Sequence, residues 1–412
     1  MGIPLAWLQL SREPIRLLVA LAGITFADVL MFVQLGFQDA LFEAAVLVHR
    51  RLRADLVLVN PQSQAFFAMQ RFPRRRLYQA LSLPEVESVA PLYVDLMPWK
   101  SPVCPPTPQA TSCTRSILVL GFDPAVSVLD FPAVEAQLAQ IRQPDVVLFD
   151  RLSREEFGTE FIVEALMAGR RVQAEVNRRR VTVGGLFELG ASFSADGNVI
   201  TSDLNFVRMF PGRTLAQVDV GLIRLKPGTD VEQARARLRE LLNTQLKLPG
   251  GFLCQGAKPS AAFANDVCIL THEEFAELER YYWATGTAIG FIFGLGTAMG
   301  FVVGIVVVYQ ILYTDVSDHL AEYATLKAIG YRDRYLLLVV LQEAMILAVL
   351  GFIPGYLVSE GLYALTRLAT RLPIAMTLNR AVTVLVLTVV MCFVAGAISV
   401  RRLQAADPAD IF

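Results

Sequence analysis

GTAIGFIFGLGTAMGFVVG, residues Gly286–Gly304, carries six glycines in nineteen positions. A glycine-rich run cradles nucleotide phosphates when it ends in Lys-Ser/Thr at a strand–helix junction. It lets membrane helices meet backbone to backbone when small residues recur every four positions. This run has no Lys-Ser/Thr and lies in a block, Arg280 to Asp315, with no charge between its ends. Gly286, Gly290 and Gly294 step by four, and so do Gly296, Gly300 and Gly304. At 100° per residue all six fall on one helical face about 160° wide. The run therefore reads as a membrane helix with a packing face, turned toward the first helix or toward a twin copy. The plainer alternative is a merely flexible span.

Three further blocks match it in character. They are Leu17–Leu35, broken by Asp28; Leu336–Ser359, broken by Glu343; and Ala381–Val400. Each supplies the roughly 20 apolar residues needed to cross a bilayer. The chain of 412 residues is 54% hydrophobic and 18% charged, against about a quarter charged in soluble proteins. Its net charge of −1 gives no field for nucleic acid, and His49, His272 and His319 lack metal-ligand spacing. Arg12, Arg16, Lys327, Arg332, Arg334, Arg401 and Arg402 flank the spans on one side, which is then cytoplasmic. The long polar segment between the first two spans is exterior, and the first span is an uncleaved anchor.

That exterior segment alternates strand and helix signals. DLVLVN, SILVLGFDP, PDVVLFD, VDVGLIRL and VCILT read as strands, and RVTVGGLFELG as a strand pair followed by a DGN turn. LPEVESVAPLYVDLMPW reads as a short helix and then a strand, and SREEFG as a helix opening at Ser153 with Glu156 three residues on. PGTDVEQARARLRELLNTQL is an amphipathic helix starting near Asp230, and HEEFAELERYYW leads helically back to the membrane. The fold class is an α-helical membrane protein with four transmembrane helices and a large α+β domain inserted between helices 1 and 2.

The chemistry-bearing residues are few. There is no G-x-x-x-x-G-K-[ST], H-E-x-x-H, C-x-x-C or G-x-S-x-G, so the chain is read as no enzyme and as binding no cofactor. Asp28 and Glu343 are intramembrane acids that must face protein or water. Each reads either as a static bond to a neighbouring helix or as a bond that changes between two states; Glu343 can also snorkel to the cytoplasmic surface. Their depths differ too much for them to pair with each other. Arg74, Arg75 and Arg76 form a basic run, read as a solvated face or as a patch for lipid headgroups or an acidic partner. Cys104, Cys113, Cys254 and Cys268 all lie outside the membrane, where two disulfides can form. The short loops favour Cys104–Cys113 and Cys254–Cys268 among three pairings, with four free thiols as the alternative.

The order of several segments resembles the MacB/FtsX-type ABC permeases, and within them the cyanobacterial DevC-like group. They are LAWLQLSREPIRLLVALAGITFADVLMFVQLGFQDALF, LPEVESVAPL, LVLGFDP, AEYATLKAIGYRDRYLLLVVLQEAMIL and RRLQAADPADIF. The likeness implies a MacB-like periplasmic domain and a bacterial inner membrane of cyanobacterial type. It implies a second copy of the chain, two cytoplasmic ATPase subunits that bind ATP and Mg, a periplasmic membrane-fusion adaptor, and a TolC-like outer-membrane channel. Membrane lipids are the surrounding partner and the cargo is a glycolipid or another amphiphile. Lipoprotein release and FtsX-like control of cell-wall hydrolases are the alternatives. In DHLAEYATLKAIG, Leu320, Tyr323 and Leu326 give an apolar edge suited to a partner groove. With Glu322, Lys327, Ala328 and Gly330 they form the expected ATPase-coupling segment; an interfacial membrane helix is the other reading. The expected layout is 1–14 entry helix, 15–35 span one, 36–54 stalk, 55–270 exterior domain and 271–282 stalk return. It continues as 283–313 span two, 314–335 coupling segment, 336–358 span three, 359–380 exterior loop, 381–400 span four and 401–412 tail.

Overall fold

A computed structural model describes residues 14–104, 113–190, 192, 195–242, 267–319, 325, 329, 333–370 and 372–405. The chain divides into two compact units, residues 42–286 and the pair of segments 1–41 and 287–412. Helix α1, Pro14–Ala45, begins in the second of these and ends in the first.

The exterior unit is built on one nine-stranded mixed sheet, in the order β11-β1-β10-β3-β4-β8-β5-β7-β6. Its strands are β1 (Leu56–Val59), β3 (Val86–Lys100), β4 (Thr114–Phe122), β5 (Val146–Asp150), β6 (Val172–Val176), β7 (Arg179–Phe187), β8 (Asn198–Ser202), β10 (Val220–Leu225) and β11 (Cys268–Thr271). A small pair, β2 (Phe72–Pro73) with β9 (Gln217–Val218), stands apart from it. Most pairings are antiparallel, whereas β4/β8 and β5/β7 run parallel. Both faces are covered, so β1 can be an unbroken LVLV. Leu56 and Leu58 enter one core, and Val57 and Val59 the other.

Helices close each side. α3 (Arg74–Gln79), α6 (Thr159–Met167), α7 (Asp203–Met209) and α8 (Val231–Leu242) bury Leu77, Ile162, Phe206 and Leu238 on the first face. α2 (Leu47–Arg50), α4 (Pro132–Glu135), α5 (Leu138–Ile141) and α9 (His272–Thr285) bury Val48, Val134, Ile141 and Phe275 on the second. The caps are explicit. Asp230 Oδ1 accepts from the Glu232 and Gln233 amides, and Thr271 with Glu274 forms a reciprocal capping box.

Three local readings change. The short helix expected at the start of LPEVESVAPL is absent, and β3 instead starts at Val86 and runs 15 residues, paired on both edges. SREEFG forms a 3₁₀ turn, Glu155–Phe157. Gly158, at φ +80° with Ser101 against its α-carbon, separates that turn from α6. RVTVGGLFELG contributes a single strand. Its hairpin partner is upstream β6, joined through Asn177 and Arg178 at φ 47° and 64°. That pair of left-handed residues makes the turn suited to a two-residue hairpin without the Asn-Gly signature.

The membrane unit contains α1 together with α10 (Ala288–Asp318), α11 (Asp333–Thr370) and α12 (Leu378–Ala405). All four are long and apolar enough to span a bilayer, over Pro14–Ala45, Ala288–Asp318, Leu337–Ala369 and Leu378–Ser399. Span two is not continuous with the preceding helix. α9 ends at Thr285, and Thr287 caps α10 by accepting from the Ile289 amide. The exterior loop expected over 359–380 shrinks, because α11 continues to Thr370 and α12 starts at Leu378. Polar residues such as Ser359, bonded to the Gly355 carbonyl at 2.7 Å, are absorbed into the helix.

Candidate functional site

Within the membrane unit α1 is gripped by glycines from two directions. On α10, a Cβ at Gly304 would lie 3.0 Å from Ala27 Cβ, and at Gly300 3.4 Å from Leu30 and Met31. A Cβ at Gly296 would meet the Gln34 amide at 2.5 Å. On α11, a Cβ at Gly351 would lie 2.5 Å from Ile24 and one at Gly355 2.8 Å from Asp28 Cβ. At Gly296, Gly351 and Gly355 an added Cβ would clash, so side chains of α1 pack directly against bare glycine backbone there. Around these contacts Ala20, Ile24, Ala27, Val308, Leu347 and Met391 form a shared apolar core.

The six-glycine face therefore separates into parts. Gly296 and Gly300 pack on α1 and Gly304 on both Met391 of α12 and Ala27 of α1, while a Cβ at Gly294 would meet nothing within 4 Å. Gly286 lies outside α10 as the C-cap of α9, close to the Tyr282 carbonyl, and Gly290 is a half-buried residue in the first turn of α10. The single 160° face fails for a physical reason. Gly286 falls before the break that starts α10, and Gly294, within α10, lies ~160° around the helix from Gly296 at 100° per residue.

The buried polar groups sit on the same contacts. Asp28 is fully buried, and Thr388 on α12 donates its hydroxyl to Oδ1 at 2.5 Å, while Oδ2 has no hydrogen-bond partner. Toward the outer end, Arg380 donates to Asp39 Oδ2 at 2.7 Å and to the Ala375 carbonyl at 2.7 Å. Its guanidinium lies 5.5 Å from the Tyr363 ring, and Tyr363 donates its hydroxyl to the Phe32 carbonyl. One arginine thus ties α1, α11 and α12 together. Toward the inner end Arg16 pairs with Asp318, linking α1 to α10. Glu343 is 1% exposed and sits beside the Asp315 carboxyl of α10; Asp315 in turn lies 3.7 Å from His319. Glu343 does not snorkel. Asp28 and Glu343 have different partners on different helices. The coupling residues Leu320, Glu322, Tyr323, Leu326, Lys327, Ala328 and Gly330 lie outside the described residues.

In the exterior unit Cys104 and Cys113 form a disulfide with Cα atoms 5.7 Å apart. Cys268 is disulfide-bonded too, and Cys254 lies outside the described residues. The basic run does not form one patch. Arg74 donates to the Tyr78 hydroxyl and lies over its ring, Arg76 caps α8 by donating to the Leu242 carbonyl at 2.8 Å, and Arg75 is exposed. Among the described residues no group of His, Cys, Asp and Glu could hold a metal ion.

Elsewhere in this unit two ionisable groups are buried together. His49 packs between the rings of Phe66 and Phe275, with centroids 4.8 and 4.5 Å away, and neither of its nitrogens has a hydrogen-bond partner. Burial, with help from His272 and Arg280, holds its pKa down to about 3. Glu279 lies 3.9 Å from it and accepts from the Phe66 amide and the Trp283 indole. Burial lifts its carboxyl to about 7 against those two donors.

Sequence reasoning missed Arg380, Thr388, Tyr363, Glu279 and His49, whose partners lie hundreds of positions away. It also missed Gly351 and Gly355, although their four-residue spacing was visible by the same rule that picked out Gly296, Gly300 and Gly304.

Two family descriptions match the chain. "MacB-like periplasmic core domain" matches residues 17–241, more than half of the chain, and "FtsX-like permease C-terminal" matches residues 294–408. Among solved structures, the periplasmic region of MacB from Actinobacillus actinomycetemcomitans is similar at 12% identity and a TM-score of 0.33, covering 55% of this chain and 94% of that one. The extracellular domain of the noncanonic ABC-type transporter YknZ from Gram-positive bacteria is similar at 11% identity and a TM-score of 0.31, covering 46% and 92%. No curated protein matches the chain.

Proposed function

This chain belongs to the MacB/FtsX-type ABC-transporter permeases, and on that premise we propose that it is the membrane subunit of an exporter of the DevC type. It sits in a bacterial inner membrane and works with an ATPase carried on a separate subunit. Two copies, each binding one ATPase, convert ATP binding and hydrolysis into movement of their exterior units. That movement drives an amphiphile, such as a glycolipid, through an adaptor and a TolC-like channel. The observation that carries this reading is α1, one uninterrupted helix of 32 residues, ~48 Å at 1.5 Å per residue. It runs past the ~30 Å hydrocarbon core into the exterior segment. A stiff element of that kind can transmit displacement without a substrate path between the spans. The lack of a phosphate-binding loop supports placing nucleotide chemistry on the partner.

The test is affinity purification of the full chain from its own membranes, with and without charged substitutions at Leu326 and Ala328. The expected result is an ABC ATPase, an adaptor and an outer-membrane channel with the parent chain, and loss of the ATPase with the variant. Recovery of a cell-wall hydrolase, or of lipoproteins without an adaptor, would overturn the exporter reading. Undiminished ATPase binding by the variant would overturn the coupling segment.

A further inference from the structure

We propose that the foot of the exterior unit is a lipid-interface anchor, in which Phe67 joins Tyr281, Tyr282 and Trp283 in the outer headgroup layer. Phe67 comes from the loop between β1 and β2, far from any span in sequence. Its ring centroid lies 6.0 Å from that of Tyr282 and 5.8 Å from that of Trp283, and those two lie 5.3 Å apart. Tyr281 is 49% exposed, and Phe67, Tyr282 and Trp283 are half-buried. The cluster is held in place rather than left to fluctuate. Glu279 accepts the Phe66 amide at 2.7 Å and the Trp283 indole N–H at 2.8 Å, so one buried carboxylate ties the loop to the helix.

The position along the chain identifies what covers this surface. Trp283 stands five residues before Ala288, where span two begins. Arg280, in the preceding turn, pairs with Glu43 at 2.6 Å. Glu43 is eight residues beyond Leu35, the end of the apolar run of α1, or ~12 Å along that helix. Trp283 lies almost one turn nearer the membrane than Arg280, which brings it to the headgroup region outside the ~30 Å core. Trp and Tyr concentrate at that level because their rings are apolar while the indole N–H and phenol O–H stay wet. In soluble surroundings these four aromatics would be an unexplained apolar patch. At the end of a span they anchor the unit, and they do so from two separate stretches of sequence.

The test places the photo-crosslinking residue p-benzoylphenylalanine at position 67 of the full chain, with Phe161, an exposed aromatic on α6, as the control position. Both proteins are reconstituted in phosphatidylcholine–phosphatidylglycerol nanodiscs, irradiated, and read by mass spectrometry. Position 67 is expected to give phospholipid adducts in several-fold higher yield than position 161. Equal yields, or adducts at 67 only with a second copy of the chain, would overturn the proposal. A second measurement avoids any substitution at 67. The emission of Trp283, taken as the difference between the parent and Trp283→Phe, is read in lipids brominated high or deep on the acyl chain. Stronger quenching by the high position is expected. No quenching by either lipid would contradict it.

Discussion

Asp219 in the exterior unit and Asp28 in the membrane unit are both buried aspartates, yet they are held in opposite ways. Asp219 receives the Arg213 guanidinium on both oxygens and the Val94 amide at 3.0 Å, and Arg213 lies over Phe206 and Phe210. Asp28 receives one threonine hydroxyl and faces the bare backbone of Gly355. Around Asp219 the buried charge is matched on both oxygens, within a sheet hydrogen-bonded on every strand. At Asp28 the membrane helices meet across a bare glycine and through a single polar contact. A continuous sheet with a matched buried charge suits a body that, in the proposed cycle, moves as a whole. A single hydrogen bond like that at Asp28 can be exchanged at small cost.

The largest effect that would break this contrast is expected at Arg213. Arg213→Ala leaves Asp219 buried without its counter-charge, a loss of about 3–5 kcal/mol, measurable as a drop in thermal unfolding temperature of the purified chain. A shift no larger than that of an exposed substitution such as Arg75→Ala would show that the exterior unit is not held by this pair. Next come the glycines. Gly304→Leu and Gly355→Leu force α10 or α11 away from α1, an overpacking cost of about 1–3 kcal/mol, seen as reduced yield of folded chain. Gly294→Leu is expected to leave folding unchanged. If it lowers transport while the fold stays intact, the open side of α10 is assigned to a second copy.

Asp28→Asn is expected to change stability by only about 1 kcal/mol, the scale of single interhelical hydrogen bonds in bilayers. A change as large as that at Arg213 would erase the distinction between the two units. The smallest effect is a pH slope at the foot of the exterior unit. The Glu279 pKa rises from 4.5 to about 7 on folding, so its contribution falls as pH rises through that interval. His49 falls from 6.5 to about 3, so its contribution is present above pH 6.5 and is lost as pH falls toward 3. Between pH 4.5 and 6.5 the two slopes cancel. In Glu279→Gln only the His49 slope remains, and unfolding monitored by hydrogen exchange at the foot should show stability rising with pH across that window. A flat profile in the variant would contradict the pairing.

What could be read beforehand follows from where the determining physics is local. A bilayer imposes an apolar run on each span, and the four spans stand out in the sequence for that reason. Helix caps are settled within three residues, so Asp230 and the start of the return helix at HEEFAELERYYW were legible. The four-residue glycine spacing was legible as well, although the break at Gly286–Thr287 was not, because Thr287 becomes a cap only once α9 has ended. Contacts made at long range left no mark. Nothing near Asp28 points to Thr388, nothing near Asp39 points to Arg380, and Phe67 gives no sign of Trp283. The hairpin turn at Asn177–Arg178 was hidden for a different reason, since its backbone is held by the strands it joins rather than by glycine.

In the proposed cycle, ATP bound by the partner subunit displaces the exterior units as bodies. The most direct measurement is the distance between spin labels at Leu204→Cys, an exposed site on α7, in the two copies of the complex with its ATPase. Spectra would be recorded without nucleotide and with ATP under non-hydrolysing conditions. A shift of the whole distance distribution on ATP binding is expected, with the sheet unchanged in hydrogen exchange. An unaltered distribution in a complex whose ATPase is shown to bind and turn over ATP would contradict it.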